Sequence, residues 1–477
     1  MTVTLGLLLL LLLGAGVYRC LSGRPSSPGG WLAFAGYAVV LGLIGVGFVT
    51  RLPSMLGIEA LPAWRWAWPA LPALLAWAMA APAARLLRAR AAGPAPSTAW
   101  PPASPWLLLA VLTLLAVRLV WIIDEAWLRP LFGWDAWLAW SAKAKAWSLA
   151  GEAVEFAPAQ VWLEQPPGSA RISLAHHYPE LLSWIEVWLA SLAGGWRESA
   201  INLAWPALWL AMLAGCAGQW RVLGASPTAV ALGAYALGSL PLLTVHAALP
   251  GYADMWVATC LAFAVLSWLR WMERGERGHL LLALVLLAVL PALKFEGMVW
   301  ALGMIAVMLW FGLARHRAAL RVLIIAGGAA LVVLLSWLCG LQWLETLRHL
   351  MAPAPEGAGR PLGSVLLATA AGLFAQGNWH LLWYLLPLVL VWRWRRLCSD
   401  PPLAGATLLV LAGMGLILGL FVFTQAGRWA ESYTVVNRLV MHLAPTAVAL
   451  MVLASRPARQ PVDGAVPADA PAKAVAG

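Results

Sequence analysis

The sequence predicts an all-α, polytopic membrane protein that forms a bundle of about 13 transmembrane helices. Of its 477 residues, 62% are hydrophobic and only 11% are charged. Several apolar runs are long enough to cross roughly 30 Å of hydrocarbon, which takes about 20 helical residues. A closed β-barrel is excluded, because runs such as LGLLLLLLLGAGV lack the alternation of polar and apolar residues that barrel strands need. This first run has no basic segment before it and no clear A-x-A cleavage site, so we expect a retained span.

The basic residues orient the chain in the membrane. The formal net charge of +11 comes mainly from short loops between apolar runs, where the positive-inside rule places it, so a nucleic-acid partner is not indicated. Arg51 and Arg65 fall on the other side and depart from the rule. The arginines expected in the cytoplasm are Arg19, Arg24, Arg85, Arg88, Arg90, Arg221, Arg270, Arg274, Arg277, Arg315, Arg317, Arg321, Arg393, Arg395, Arg396, Arg456 and Arg459.

Threading the chain through these fixed points predicts the spans. Two further apolar runs, 178–193 and 361–376, cannot span without moving an arginine cluster to the wrong side. Both are short, so we expect interfacial or re-entrant helices in the outer loops. The expected spans lie near residues 3–20, 31–50, 62–82, 104–123, 199–219, 227–248, 253–271, 279–293, 297–314, 319–341, 378–394, 403–424 and 434–455.

The same topology predicts the domain organisation. Residues 1–100 form an N-terminal transmembrane module, followed by a main transmembrane domain over 101–455 with two large outer loops, 124–198 and 342–377. The tail, 456–477, is rich in Pro and Ala and is expected to be disordered in the cytoplasm. The five cysteines are scattered without C-x-x-C spacing, so neither a disulfide framework nor a zinc site is indicated.

The stretch GWDAWLAWSAKAKAW, residues 133–147, places charges among tryptophans in the first outer loop. Trp134, Trp137 and Trp140 recur every third residue and are typical of a helix lying on the membrane surface. Asp135 has no pairing residue three or four positions away, so it is either a base with a raised pKa or a helix N-cap. Lys143 and Lys145 either extend toward lipid phosphates or bind a phosphorylated substrate.

Further charges cluster on the same predicted face. Asp254 begins a span after a Pro-Gly turn, where helix capping alone could account for it. Lys294 and Glu296 interrupt a long apolar segment next to a glycine, which favours a helix break with a functional pair. Arg438 and His442 are spaced i, i+4 at the outer end of the last span and face the same way. Several costly charges at one membrane face indicate a site.

In order, the blocks GWDAWLAWSAKAKAW, HHYPELLSWIEVWLA, LPGYADMWVATCLAFAVL, LPALKFEGMVWALGM and VVNRLVMHLAP resemble the motifs of bacterial polytopic glycosyltransferases of the GT-C superfamily. The similarity is to the family 39-like branch related to protein O-mannosyltransferases and lipid A aminoarabinose transferases. It covers about residues 104–455, so the resemblance implies a GT-C-like catalytic domain over 101–455, with 1–100 as an addition.

The resemblance implies transfer of a sugar from a polyprenyl-phosphate donor to a glycan, lipid or protein acceptor at the periplasmic face of the bacterial inner membrane. It implies a general base in the first outer loop, Asp135, with inversion at the anomeric carbon, and a second acidic residue, Asp254. Asp124, in the sequence DEAW, also matches the acidic position and is the rival base.

The resemblance and the charges together suggest further ligands. Lys143, Lys294 and Arg438 are expected to stabilise the leaving phosphate, with Lys145 and Glu296 beside them. His177 and Tyr178 match a His-Pro-Pro-like segment loosely, without its double proline, and are expected near the acceptor. No cofactor is indicated; dependence on a divalent metal stays open, because families of this superfamily differ in it.

Other classes of function stay open. A secondary transporter also gathers charges in the membrane, but near the midplane and in paired repeats. An O-antigen polymerase or ligase uses lipid-linked glycans but places its large loop late in the chain. A non-catalytic scaffold gives no reason for Asp135, Asp254, Lys294 and Glu296 to share a face.

Overall fold

The computed structural model describes residues 2–55, 67–87, 101–312 and 362–456. Over these residues the chain is a bundle of α-helices with one pair of three-residue strands. In chain order the elements are α1 (Thr2–Ser22), α2 (Pro28–Met55), α3 (Ala67–Leu87), α4 (Pro105–Leu128), α5 (Trp134–Leu138), α6 (Trp140–Ala150), β1 (Glu155–Ala157), α7 (Ala159–Glu164), β2 (Ala170–Ile172), α8 (Leu181–Leu192), α9 (Glu198–Asn202), α10 (Ala204–Val222), α11 (Pro227–Ser239), α12 (Pro241–Ala248), α13 (Asp254–Arg274), α14 (Arg277–Leu293), α15 (Phe295–Gly312), α16 (Leu362–Ala370), α17 (Leu382–Trp392), α18 (Trp394–Ser399), α19 (Pro401–Phe423) and α20 (Val435–Ala454).

The prediction of a multi-pass helical membrane protein is confirmed. Among the described residues, nine helices are long and apolar enough to cross a membrane, or ten if α11 and α12 form one span bent by 59°. The count of about 13 stays a prediction. The expected span 319–341, most of the loop 342–377 and the tail beyond residue 456 lie outside the described residues.

Four of the described apolar helices are shorter than a typical membrane span. Two coincide with expected spans: α14, with 17 residues, is at the lower limit for crossing a bilayer, and α17, with 11, is below it. The other two are α8 and the segment Gly363–Ala375, which ends in a π-helical turn. Both match the runs that were expected not to span.

A small parallel sheet in the first large loop was not predicted. Strand β1 pairs with β2 in parallel, with Glu155 opposite Ala170, and the short helix α7 connects them. The indole of Trp162 in α7 donates to the carbonyl of Ala170 at 2.9 Å and fixes the crossing. Strands of three residues carry too little periodicity to be read from sequence.

The N-terminal helices pack closely against the remaining bundle. A Cβ at Gly36 of α2 would lie 2.4 Å from the carbonyl oxygen of Ala211 in α10, so the two backbones are in contact. The ring of Tyr37 stacks on Phe263 of α13 at 4.0 Å, and its hydroxyl donates to the Phe263 carbonyl. Small residues allow helices to approach this closely within a membrane.

Several helix ends meet at one end of the bundle. Helix α13 begins there with Asp254, α14 ends and α15 begins on either side of Lys294, and Arg438 lies in the first turn of α20. Ion pairs join these ends to one another and to α5. The fold therefore gathers polar side chains from distant parts of the sequence.

Candidate functional site

The turn before α13 positions Asp254. Gly251 has φ of +94°, and a Cβ there would lie 2.2 Å from that of Ala136, so glycine lets the turn approach α5. The indole of Trp205 donates to the carbonyl of Tyr252 at 3.0 Å and holds the turn against α10. The first outer loop and the turn before α13 are therefore in direct contact beside Asp254.

Asp254 is fully buried. It is the centre of a charged network whose other members are Asp135, Lys294, Glu296, Arg438 and His442. Its Oδ1 accepts from Lys294 Nζ at 2.7 Å and from His442 Nε2 at 3.1 Å. Its Oδ2 accepts from Arg438 Nε at 3.0 Å and from Nη2 at 2.7 Å. The residue before it, Ala253, occupies the N-cap position, so the carboxylate binds side chains of other helices instead of capping its own.

Arg438 joins the two acidic residues that the sequence had placed in separate loops. Its Nη2 donates to Asp135 Oδ2 as well as to Asp254. The guanidinium lies over the ring of Tyr252, 4.8 Å from its centroid, which adds a cation–π contact. One planar group thus links α20, α13 and α5.

Asp135 is the more accessible of the two carboxylates. It lies in the first turn of α5, whose N-cap is Gly133, so it does not cap the helix itself. Its side chain is 21% exposed, against 0% for Asp254. Only Oδ2 accepts a hydrogen bond from a described residue, which leaves Oδ1 available.

Lys294 lies in the helix break predicted between α14 and α15. Its backbone is extended, with φ of −158° and ψ of 151°, so Glu296 two residues later can reach back to it. Glu296 Oε1 is 3.2 Å from Lys294 Nζ, and its side chain is 35% exposed. The ammonium group therefore contacts one buried and one partly exposed carboxylate.

His442 adds a neutral donor to the network. Its Nδ1 accepts from the Trp300 indole at 2.8 Å, so the ring proton belongs on Nε2, which faces Asp254. The i, i+4 spacing placed His442 on the Arg438 face but did not reveal this role. Nothing in the sequence singled out Trp300 or Tyr252.

The predicted lysines of the first loop lie outside this network. Lys143 is buried and donates to the carbonyls of His176 and Tyr178, at 2.7 and 3.0 Å, with Glu180 at 3.7 Å. Lys145 is half exposed and pairs with Glu198 at 3.4 Å. Lys143 thus fixes the loop that carries His177 and Tyr178.

His177 and Tyr178 reach the network through Phe295. The Phe295 ring stacks on His177 at 5.5 Å and meets Tyr178 edge-on at 5.3 Å. Burial and, to a smaller extent, the nearby Glu296 carboxylate raise the pKa of Tyr178 to about 12. Burial lowers the pKa of His177, so the ring is neutral at physiological pH. Both aromatic side chains therefore lie beside the Lys294 break as uncharged groups.

Asp124 is not brought to the network. It lies on an exposed face in the last turns of α4 and forms no hydrogen bond or ion pair with a described residue. Its neighbour Glu125 pairs with Arg129 one turn later. Of the two rival acidic residues, the structure joins Asp135 to the other charges.

The network contains three carboxylates and two cations, with His442 neutral. Among the described residues, no group of three or more His, Cys, Asp or Glu side chains is arranged to hold a metal ion.

Comparison of the chain with protein-family models, with curated proteins and with solved structures finds no match.

Proposed function

We propose that the protein is a membrane glycosyltransferase that moves a sugar from a polyprenyl-phosphate donor to an acceptor hydroxyl. The observation that carries the proposal is the partly exposed Asp135 carboxylate, which Arg438 ties to the buried Asp254 at one end of the bundle. Buried charges are costly unless they are paired, so this pairing supports a functional site. We place it at the periplasmic face of a bacterial inner membrane, following the arginine distribution.

Asp135 acts as the general base in this proposal. Its Oδ1, which accepts no hydrogen bond from a described residue, takes the proton from the acceptor hydroxyl while the acceptor oxygen forms a bond to the anomeric carbon. The bond between that carbon and the phosphate oxygen breaks, and its electron pair stays on the phosphate. Attack from the opposite side inverts the anomeric configuration.

Arg438 is the cation best placed to meet the leaving phosphate, because its side chain is 18% exposed whereas that of Lys294 is 5% exposed. Lys294, His442 and Asp254 then serve to hold Arg438 and Asp135 in place. Lys143 and Lys145 are engaged elsewhere, so the phosphate contact rests on fewer cations than the sequence indicates.

The aromatic pair His177 and Tyr178 fits a role in shaping the acceptor side. Both rings pack on Phe295 next to Lys294. Uncharged aromatic faces and a hydroxyl suit a sugar or lipid acceptor, which offers C–H surfaces and hydroxyl groups.

The direct test is transfer from defined polyprenyl-phosphate sugars by the purified protein. Asp135→Asn should reduce the rate by roughly 10²- to 10⁴-fold, the contribution of a general base. Asp124→Asn, on the exposed face of α4, should retain the wild-type rate. Loss of activity in the second variant with retention in the first would move the base to Asp124.

A secondary transporter is the second candidate, and the bend between α11 and α12 favours it. The helices are interrupted at Leu240, where Asn378 and His380 contact the freed backbone. Interrupted helices form the binding sites of many transporters. Proteoliposomes that accumulate a solute without forming a new glycosidic bond would support this function in place of transfer.

A further inference from the structure

A second feature lies at the other end of the bundle, between α1, α2 and α3. A groove of about 390 Å³ opens there, within the range of small-molecule sites. Leucines at positions 8, 11 and 12 line its length, and Arg19 and Arg24 line one end. The backbone at Leu21 lies against Gly278 at the start of α14, whereas Lys294 follows the end of α14, so the arginine end is remote from the charged network.

The arginines at this groove have no acidic partner within the described part of the chain. Arg19 lies over the ring of Trp77, 4.7 Å from its centroid, and the Trp77 indole is fixed by donating to the carbonyl of Leu12. Arg85 follows Ala84, whose Cβ would lie 3.8 Å from a Cβ built at Gly23. None of Arg19, Arg24 and Arg85 forms an ion pair with a described residue.

The dimensions match one leaflet of a bilayer. Eleven residues of α1 separate Leu8 from Arg19, a rise of roughly 16 Å in a helix. Half of the hydrocarbon core is about 15 Å thick. Trp31 and Trp77 lie along the same groove, and tryptophan is typical of the headgroup level.

We infer that this groove binds one anionic phospholipid, with its phosphate on Arg19 and Arg24 and an acyl chain along the α1 leucines. The positive end excludes a purely apolar occupant, and the apolar length excludes a free phosphate as the best ligand. Under the arginine-based topology this lipid belongs to the cytoplasmic leaflet.

The test is native mass spectrometry of the purified, delipidated protein titrated with dioleoyl-phosphatidylglycerol. Wild type should retain one lipid with higher affinity than the rest, and dioleoyl-phosphatidylcholine should bind more weakly. Arg19→Gln with Arg24→Gln should weaken binding of the retained lipid roughly 30-fold, as expected when two basic residues near a phosphate are neutralised. The double Lys variant keeps the charges and should retain binding.

A matched control separates this site from general surface charge. Arg393 also lies over a tryptophan ring, that of Trp392, at 4.0 Å, but it does not line the groove. Arg393→Gln should leave the retained lipid unchanged. Equal weakening by Arg393→Gln, or equal binding of the two lipids by wild type, would leave only non-specific lipid and overturn the inference.

A second experiment tests the leucine-lined part of the groove. Leu8→Trp fills the groove without changing charge and should weaken phosphatidylglycerol binding, whereas Leu5→Trp, at a similarly exposed position outside the groove, should not. Displacement of the lipid by inorganic phosphate alone would make the site an anion site and contradict the role of the leucines.

Discussion

Asp254 and Asp135 share one arginine but differ in burial, and this difference predicts how the two variants behave. Asp254→Asn leaves Lys294 and Arg438 without their buried carboxylate. Removing one partner of a buried ion pair costs about 3 to 5 kcal/mol. Asp135→Asn affects a partly exposed pair and should cost about 1 kcal/mol or less.

The free energy of unfolding of both variants, measured by denaturant titration in mixed micelles, checks this order. An equal loss in both would mean that the network does not depend on Asp254. The stability comparison is also a control for the activity test. An Asp135→Asn protein that is inactive but stably folded has lost a catalytic group and not its fold.

Glu186 in α8 predicts a pH dependence of stability. It is fully buried, Ser141 donates to Oε1 at 2.7 Å, and Oε2 has no partner among the described residues. Burial raises the pKa of Glu186 from 4.5 to about 8. Between these values the folded chain holds a proton that the unfolded chain releases, so stability falls as pH rises through this interval.

Glu186→Gln removes this titration. The melting temperature of the wild type should therefore fall more steeply than that of the variant between about pH 5 and about pH 8. Parallel curves over that interval would show that Glu186 is already ionised in the folded protein.

At this scale the sequence indicated the charged residues but not their partners. Asp135, Asp254, Lys294 and Arg438 were recognisable because charges are costly next to apolar spans. Lys143 was expected at the phosphate, yet it is buried under backbone carbonyls, and no local pattern distinguishes these two uses of a lysine. Trp300 and Tyr252 resemble any aromatic residue of a membrane helix until the fold brings them to His442 and Arg438.

At the scale of elements, the contact between α2 and α10 depends on glycine. Gly36→Ala would place a Cβ 2.4 Å from the Ala211 carbonyl, and backbone at such a contact must shift. We expect a loss of about 1 to 3 kcal/mol in the free energy of unfolding, as for other overpacked interfaces.

Gly419 in α19 is the matched control. A Cβ there meets nothing within 4 Å, so Gly419→Ala should leave stability unchanged or raise it slightly. Equal unfolding free energies for Gly36→Ala and wild type would mean that α2 is not packed on α10 in the membrane.

Helices were predictable where the apolar run was long, and less so where tertiary contacts interrupt it. The bend between α11 and α12 lies immediately before Pro241, which the sequence shows, but the docking of residues 378–380 against the bend is a long-range contact. Helices α5 and α6 were expected as one surface helix, whereas the structure breaks them at Ala139.

At the scale of the whole molecule, the topology predicts which residues share a side of the membrane. Glu152 and Tyr433 are exposed at the end that carries the network, and Arg24 and Arg277 are exposed at the other. In a cysteine-free background, single cysteines at 152 and 433 should react with a membrane-impermeant maleimide on intact cells. Cysteines at 24 and 277 should react only after lysis.

Opposite labelling of positions 152 and 433 would contradict a common site for Asp135 and Arg438. The membrane class and most helix positions could be read from hydropathy, because a bilayer imposes length and composition on every span. The arrangement of the candidate site could not, because it joins side chains from α5, α13 and α20 that are far apart in the chain.

The chain reverses at Lys294 in a way that limits how far α14 and α15 can move apart. One extended residue separates α14 from α15, and a Cβ at Gly297 would lie 2.1 Å from the Leu290 carbonyl, so there is no slack in the connection. Spreading this helical hairpin would pull the Lys294 ammonium away from Asp254. The hairpin is thus a fixed wall of the candidate site, and α5 is joined to it through Arg438, Asp254 and Lys294 in turn.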